Sequence, residues 1–335
     1  MLGQLSPKID VQSRSSEQNK DIFERHFGIE LEALYWQAWE KSVVLTNRYA
    51  PVLTTHDFTQ NKIRHPHIHR DWGYRIGISY FFKPPSWSMD LCWTNFRTSV
   101  FQNQTTDAND VTNLNQQGSF PIWNIGDDII AGDYISNSKL HWKLLLNLLD
   151  LSAHRNFHYK RVCFSPYAGL RSGWIHQHFD IEYAGGIFVV AFIGPGVPLN
   201  GINTIVMKNN YWGLGPKIGF SPSVLLSKRV SLFADAAVSS LFGIFHLDQK
   251  SDYLERTQFE KHSRFFGIRW VADVACGLSY QTSIFRDHYD FVFKLAYEFH
   301  EFFHQMELKR DRFHLISDNS NLKFQGGVAS VRLDF

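Results

Sequence analysis

The stretch YDFVFKLAYEFH, residues 289–300, decides the fold. Every odd position holds a large apolar side chain: Tyr289, Phe291, Phe293, Leu295, Tyr297 and Phe299. The even positions include the polar residues Asp290, Lys294, Glu298 and His300. Because successive side chains point to opposite faces of a β-strand, this period of two predicts a strand with one apolar and one polar face. An apolar face so rich in aromatic residues is typical of a strand that faces lipid.

The same alternation recurs about ten times along the chain. The segments lie near residues 27–36, 74–82, 87–94, 142–151, 168–174, 212–220, 232–239, 269–280, 289–300 and 329–335. In the fourth segment, the even residues from Trp142 to Leu148 are assigned to the apolar, lipid-facing side, and Leu149 and Leu151 rejoin that side after a one-residue slip. Such a slip predicts a β-bulge near Leu149.

The connections between these segments alternate in length. They are short near residues 83–86, 154–159, 226–230 and 282–288, and long near 42–71, 102–139, 184–209, 249–264 and 304–320. Tight periplasmic turns and longer outer loops are typical of outer-membrane barrels. We therefore predict an all-β fold, a transmembrane antiparallel up-and-down β-barrel of about ten strands over residues 26–335, with eight or twelve strands as alternatives. The polar, unpatterned residues 1–25 are predicted to be a disordered leader.

Composition argues against several other classes of protein. The 335 residues carry a net charge of +2 that is spread along the chain without a polybasic tail, which argues against nucleic-acid or anionic-lipid binding as the main task. No window offers the ~20 consecutive apolar residues of a membrane-spanning helix. Aromatic residues make up 16% of the chain, and a soluble β-sandwich, the other fold that period-two strands suit, gives no reason for this excess.

The chain ends on an alternating segment. Phe335, Leu333 and Val331 share its apolar face, opposite Asp334 and Arg332. This ending resembles the last strand of bacterial outer-membrane barrels, whose terminal aromatic residue is read by the insertion machinery, so we assign these three apolar residues to a membrane-assembly signal. At the other end no apolar stretch marks a signal peptide. Because such a barrel must cross the inner membrane, we expect a start trimmed to the mature form or a true start further upstream.

Four blocks of sequence carry a more specific resemblance. They are LHWKLLLNLLDLSAHR (140–155), PYAGLRSGWIHQHFDIEY (166–183), NNYWGLGPKIGF (209–220) and SLFADAAVSSLFGIF (231–245). In this order they resemble the major outer membrane protein-like family of pore-forming barrels from intracellular bacteria, from about His26 to Phe335. The resemblance implies a Gram-negative outer-membrane location, a porin-like function as a weakly selective pore for small solutes or ions, and no cofactor.

The polar face of the strands predicts the lining of the lumen. Its charged residues are Glu30, Glu32, Arg75, Asp90, Lys143, Arg171, Lys217, Asp273, Asp290, Lys294 and Glu298, joined by Asp150, Asp235, Arg269 and Arg332. In an open pore such charges tune ion preference, and their near balance predicts a weak one. The alternative is an interior filled by ion pairs, because barrels of about eight strands leave room only for side chains. Glycines on the same face, such as Gly169 and Gly213, favour the open lumen.

Two histidine motifs suggest metal chemistry, and their contexts argue against it. HEFFH, residues 300–304, matches the HExxH motif of zinc proteases. That motif requires a helix, because residues four apart on a strand are ~13 Å apart and cannot share one ion. HPHIH, residues 65–69, lies in a long loop without carboxylate or cysteine partners at a suitable spacing. We therefore predict no catalytic, cofactor-binding or metal site, and a protein that is not an enzyme.

The long loops leave a second function open. Asp107, Asp110, Asp127, Asp128 and Asp133 lie in one of them. A non-conducting adhesin that binds a host surface partner through its loops is the alternative to a porin, and a loop-borne protease is a weaker one. The apolar stretch GGIFVVAFIGPGVP, residues 185–198, either narrows the mouth, contacts lipid or a partner, or extends a hairpin. The predicted partners are outer-membrane lipid, small solutes or ions, and this host partner.

Overall fold

A computed structural model describes residues 27–40, 46–49, 62–64, 67–82, 87–105, 118–121, 123, 134–188, 197–198, 201–253, 256–284, 289–308 and 320–335. The predicted leader, residues 1–25, lies outside these ranges. The strands in chain order are β1 (Phe27–Glu40), β2 (Thr46–Tyr49), β3 (Lys62–Arg64), β4 (Asp71–Phe81), β5 (Trp87–Thr105), β6 (Gly118–Pro121), β7 (Tyr134–Arg155), β8 (Phe157–Tyr159), β9 (Val162–Phe188), β10 (Val197–Pro198), β11 (Ile202–Leu225), β12 (Val230–Tyr253), β13 (Arg256–Ile284), β14 (Tyr289–Phe302) and β15 (Leu322–Asp334). In the described part of the chain, no helix has the length and apolar character needed to cross a membrane.

Ten strands form one closed antiparallel barrel, as predicted. The order around it is β1, β4, β5, β7, β9, β11, β12, β13, β14 and β15. β15 pairs with β1 along their whole lengths and closes the ring. Main-chain hydrogen bonds of 3.0 and 2.8 Å between Phe27 and Phe335 fasten the two ends of the described barrel. The short strands β8 and β10 pair with the two ends of β9, while β2, β3 and β6 form a separate small sheet.

The barrel has two distinct ends. Its turn end holds Phe27, Phe335 and the short connections, including the turn Leu226–Arg229 between β11 and β12. Its loop end holds the longer connections. By the rule for outer-membrane barrels, the turn end faces the periplasm and the loop end faces outward.

The wall of the barrel is uneven in height. Strands β5, β7, β9, β11, β12 and β13 have 19 to 29 residues and form what we call the long wall. Strands β14, β15, β1 and β4 have 11 to 14 residues and form the short wall. Since ~9–11 tilted residues cross a bilayer, the long wall continues well beyond the membrane on the loop side.

The outward face carries an apolar band next to the turn end. On β4 and β5 it consists of exposed residues such as Ile76, Ile78, Leu91 and Trp93. On β9 and β11 the band ends at the paired residues Trp174 and Trp212, which lie where an interfacial aromatic girdle is expected. Beyond them the outward residues are mainly polar.

One stretch was assigned to the wrong faces from the sequence. Trp142, Leu144, Leu146 and Leu148 are buried inside the barrel at 4% exposure or less, and Lys143 points outward. The pairing of β7 with β5 is continuous through Leu149, so the predicted bulge is absent from this described strand. The prediction failed because this part of β7 lies beyond the apolar band, where the outside of the wall is wet and the inside is packed. The side chains of β7 alternate without a slip. The apolar residues of the strand point outward at Leu149 and Leu151 and inward from Leu148 to Trp142.

Candidate functional site: the barrel interior

The interior of the barrel is divided into two layers along its axis. The half near the turn end is lined by charged and polar side chains, including Glu32, Asp150 and Arg171 around a cavity of about 500 Å³. The half near the loop end holds one continuous cluster of buried apolar side chains. The alternation of the strands supplies both layers, since every second residue points inward.

Arg75 on β4 forms the first centre of the charged layer. Its guanidinium donates to Glu32 on β1 at 2.5 Å and makes two bonds of 3.0 Å to the two carboxylate oxygens of Glu298 on β14. A further bond of 3.0 Å joins its Nε to Thr94. The parallel bonds to Glu298 are the bidentate geometry that makes Arg–carboxylate pairs strong, and they connect strands that are not neighbours.

Arg171 on β9 forms a second centre on the opposite side. It makes two bonds of 2.7 Å to Asp150 on β7 and one of 2.6 Å to Asp273 on β13. The ammonium of Lys217 on β11 lies 2.8 Å from Asp150. Arg171 is 2% exposed, so its charge depends on these carboxylates rather than on water.

His300 joins the two centres. Its Nδ1 lies 2.8 Å from Asp273 and its Nε2 lies 3.1 Å from Glu298. Carboxylates accept hydrogen bonds and do not donate, so the imidazolium form of His300 satisfies both contacts. We call the eight residues of this chain the lumen network: Glu32, Arg75, Glu298, His300, Asp273, Arg171, Asp150 and Lys217. Its four carboxylates are then matched by four cations.

The two histidines of the HExxH match lie apart, as expected for residues four positions apart at the end of a strand. His300 is buried in the lumen network, whereas His304 follows β14 in an exposed turn with a positive φ of 53°. Among the described residues, no group of three His, Cys, Asp or Glu side chains is arranged to hold a metal ion. His65 of the HPHIH motif and the acidic residues 107–133 lie outside the described residues.

The remaining predicted lining residues other than Arg269 and Lys143 lie closer to the turn end. Glu30 accepts from Lys294 at 2.7 Å, and Asp90 lies 3.0 Å from the Nε2 of His154. Asp290 accepts from Ser283 at 2.7 Å. Asp235 and Arg332 also line the charged cavity, and Arg269 is buried inside the barrel. Of the predicted charged lining residues, Lys143 lies on the outer surface instead.

Sequence reasoning missed the apolar layer. Trp36, Phe96, Phe302 and Phe324 come from four different strands and form a cluster with ring centroids 5.6 to 6.0 Å apart. Each of these rings is completely buried. The sequence did contain an indication of this layer. Leu34 and Trp36 are even-numbered like Glu30 and Glu32 on the same strand, so they must also point into the lumen.

A chain segment after β14 folds into this apolar layer. Met306 and Leu308 are fully buried, and the main-chain oxygen of Gln305 accepts from Asn209 on β11 at 3.0 Å. Glu307 pairs with Arg269, an inward residue of β13. The residues Gln305–Leu308, here called the inner segment, therefore reach across the lumen to a strand three positions away in the barrel. The inner segment and the apolar side chains of the ten strands together form the lumen plug.

A closed antiparallel barrel with an apolar outer band and an ion-paired interior is a transmembrane β-barrel of the outer-membrane type. The chain belongs to the family described as Legionella pneumophila major outer membrane protein precursor, whose family model matches residues 23–335. This confirms the predicted family and supports a location in the outer membrane.

Solved structures with a similar fold include other outer-membrane proteins. The outer membrane protease OmpT from Escherichia coli is 11% identical, with 92% of this chain and 96% of that chain covered and a TM-score of 0.44. A FadL homologue from Pseudomonas aeruginosa is 6% identical, with 94% and 91% covered and a TM-score of 0.28. No curated protein matches the sequence.

Proposed function

We propose that this protein is an outer-membrane barrel closed to passive diffusion, which presents its long wall and outer loops to a partner outside the cell. The observation that carries the proposal is the lumen plug. Trp36, Trp142, Phe179, Phe245 and Phe324 are each 1% exposed or less. Side chains that lined a water-filled channel would be exposed to solvent, so the burial of these rings supports a sealed interior.

The lumen network supports the same proposal. Arg75 and Arg171 each bind two carboxylates that come from different strands, so the charges are used to hold the walls together. In a conducting pore, by contrast, charges face water and passing ions. An interior filled by ion-paired side chains is also typical of small barrels, because their diameter leaves little more space than the side chains need.

A porin-like function remains the second candidate, and one observation favours it. Both side-chain polar atoms of Gln305 and of Gln177 are buried without a hydrogen-bond partner among the described residues. Burying such groups costs about 1–3 kcal/mol each, which weakens the plug around the inner segment. Withdrawal of that segment would open the polar cavity beneath it to the loop end, and the barrel would then be a gated pore.

Conductance of the purified protein in planar bilayers tests the two candidates. We expect no conductance steps from protein whose folding is verified by heat-modifiable migration in gels. A plug-weakened variant, Phe302→Ala with Phe324→Ala, serves as the positive control, since it removes two rings from the seal. Regular steps from the wild-type protein would overturn the closed-barrel proposal, and their reduction in Gln305→Leu would identify the inner segment as the gate.

The binding role needs its own test. Proteoliposomes that carry the protein with its loop end outward should adhere to host cells more than protein-free vesicles do. Removal of residues 106–117 by mutagenesis should lower adhesion while leaving the barrel folded. We propose in addition that the protein is not an enzyme, so purified protein should not cleave peptide libraries.

A further inference from the structure

The outer surface of the long wall becomes basic directly beyond its tryptophan pair. The strand register defines rungs of outward residues that run across six strands. The first rung beyond Trp174 and Trp212 is Arg97, Leu145, His176, Asn210, His246 and Arg264, and the second is Ser99, Lys143, His178, Lys208, Asp248 and His262. We call these two rungs the basic band. It contains four permanent cations and a single acid.

The four permanent cations are free to bind an anion. Arg97, Lys143, Lys208 and Arg264 are exposed, and none of them forms an ion pair with a residue in the described ranges. The one acid, Asp248, is engaged by His262 at 2.7 Å. Among the described residues, the positive charge of this surface is therefore not neutralised.

Lysines at two other places on the described outer surface are paired with acids. Two rungs further toward the loop end, Lys139 pairs with Glu182 at 2.7 Å. On the short wall, Lys323 pairs with Glu301 at 3.0 Å. At these two places a lysine is matched with an acid, whereas the lysines of the basic band have no acidic partner among the described residues.

The basic band also has a shape and a height that suit one class of ligand. Arg97, Lys143 and Lys208 line a groove of about 450 Å³ together with the apolar Leu145. The first rung lies two residues, or ~7 Å, beyond the tryptophan pair along each strand. Lys143 and Lys208, in the second rung, lie four residues, or ~13 Å, beyond it. Because tryptophans of an aromatic girdle lie at the level of the lipid headgroups, long Arg and Lys side chains just outside them can reach the headgroup phosphates of the outer leaflet.

We propose that the basic band binds the phosphate groups of an anionic lipid of the outer leaflet. Arg97 contributes a fork of donors that matches a phosphate, and Lys143 and Lys208 contribute point charges from neighbouring strands. The site binds one side of the barrel to its membrane and does not depend on whether the lumen conducts.

Native mass spectrometry of the refolded protein in neutral detergent tests the proposal, with bisphosphorylated lipid A as the probe. The variant Arg97→Gln, Lys143→Gln, Lys208→Gln should bind the probe roughly a hundredfold more weakly, given the usual contribution of each cation near a lipid surface. The matched control is Lys160→Gln, Arg161→Gln, Lys228→Gln, which removes the same charges from the turn end and should bind as the wild type does.

Three results would overturn the proposal. They are unchanged affinity in the band variant, equal binding of lipid A stripped of its phosphates, and full displacement of lipid A by an equimolar amount of inorganic phosphate. The last would show a phosphate site without lipid specificity. Heat-modifiable migration of both triple variants checks that the loss of binding does not come from loss of the barrel.

Discussion

The two halves of the barrel interior are filled by opposite means. Near the turn end, Arg75 and Arg171 each connect two carboxylates across the lumen. Near the loop end, rings such as Trp36 and Phe324 fill the space without polar contacts between them. Ion pairs stabilise the charged half, so its stability depends on each partner being present. Close packing of side chains stabilises the apolar half, so its stability depends on how completely the space is filled.

This difference assigns separate tasks to the halves. A charged filling tolerates the polar cavity beside it, whereas an apolar filling excludes water from the cross-section. In the closed barrel proposed above, the seal between the two sides of the membrane is therefore the loop-end half. The lumen network connects β1 and β4 to β7 and β9 and so fixes the shape of the barrel below that seal.

The largest effect is expected from the centre of the charged half. Arg171→Met removes the guanidinium that Asp150 and Asp273 share, leaving each buried carboxylate with one weaker partner, Lys217 or His300. It should lower the free energy of unfolding by about 3–5 kcal/mol. Urea titration in lipid vesicles, followed by tryptophan fluorescence, measures the change. Lys217→Met should cost much less, since Asp150 keeps Arg171. Equal losses in the two variants would show that the network is not centred on the arginine.

An effect of similar or slightly smaller size is expected in the apolar half. Phe324→Ala leaves a cavity among Trp36, Phe96 and Phe302, and large-to-small changes of this kind cost about 3 kcal/mol or more. The same urea titration measures it. The control is Phe101→Ala on the outer face of β5, where the ring is 66% exposed and its loss should cost well under 1 kcal/mol. If the two variants lose the same stability, the inner layer is not packed.

Sequence alternation predicted most of this architecture and misassigned one part of it. Parity along each strand is fixed by the backbone, so residues such as Glu298 and Arg171 were assigned to the correct side. The identity of the apolar side is not fixed, because it depends on whether lipid or packed interior lies there. Leu144 and Leu146 lie beyond the outward apolar band, where the packed side is the inside.

The partners within the network could not be read from the sequence. Glu32 and Glu298 lie far apart in the chain, and only the closure of β15 on β1 and the register of each pair place both beside Arg75. The inner segment was hidden for a related reason. Met306 and Leu308 follow a strand and have no periodic pattern of their own, so nothing local indicates that they fold inward.

A smaller effect is expected where the charged half meets water. Lys294→Met removes the 2.7 Å contact to Glu30, but Glu30 keeps a bond from Ser330 and faces the cavity, so the loss should be about 1 kcal/mol. This loss should shrink in 1 M salt, where screening acts over ~3 Å, while that of Arg171→Met should persist. If the loss in Lys294→Met did not change with salt, the Lys294–Glu30 pair would be shielded from water, and the water-filled part of the cavity would begin closer to the turn end.

The smallest effect is expected at Lys143, and it separates the two faces of β7 within two residues. Lys143 points into water beyond the apolar band, so Lys143→Gln should change the free energy of unfolding by no more than about 0.5 kcal/mol. Its neighbour Leu144 is 1% exposed in the lumen plug, so Leu144→Gln buries an amide among apolar side chains and should be clearly destabilising. The pair is measured by the same urea titration. A large loss of stability for Lys143→Gln with a negligible one for Leu144→Gln would support the faces of β7 first assigned from the sequence. Lys143 would then not belong to the basic band, and Trp142 and Leu146 would not belong to the lumen plug.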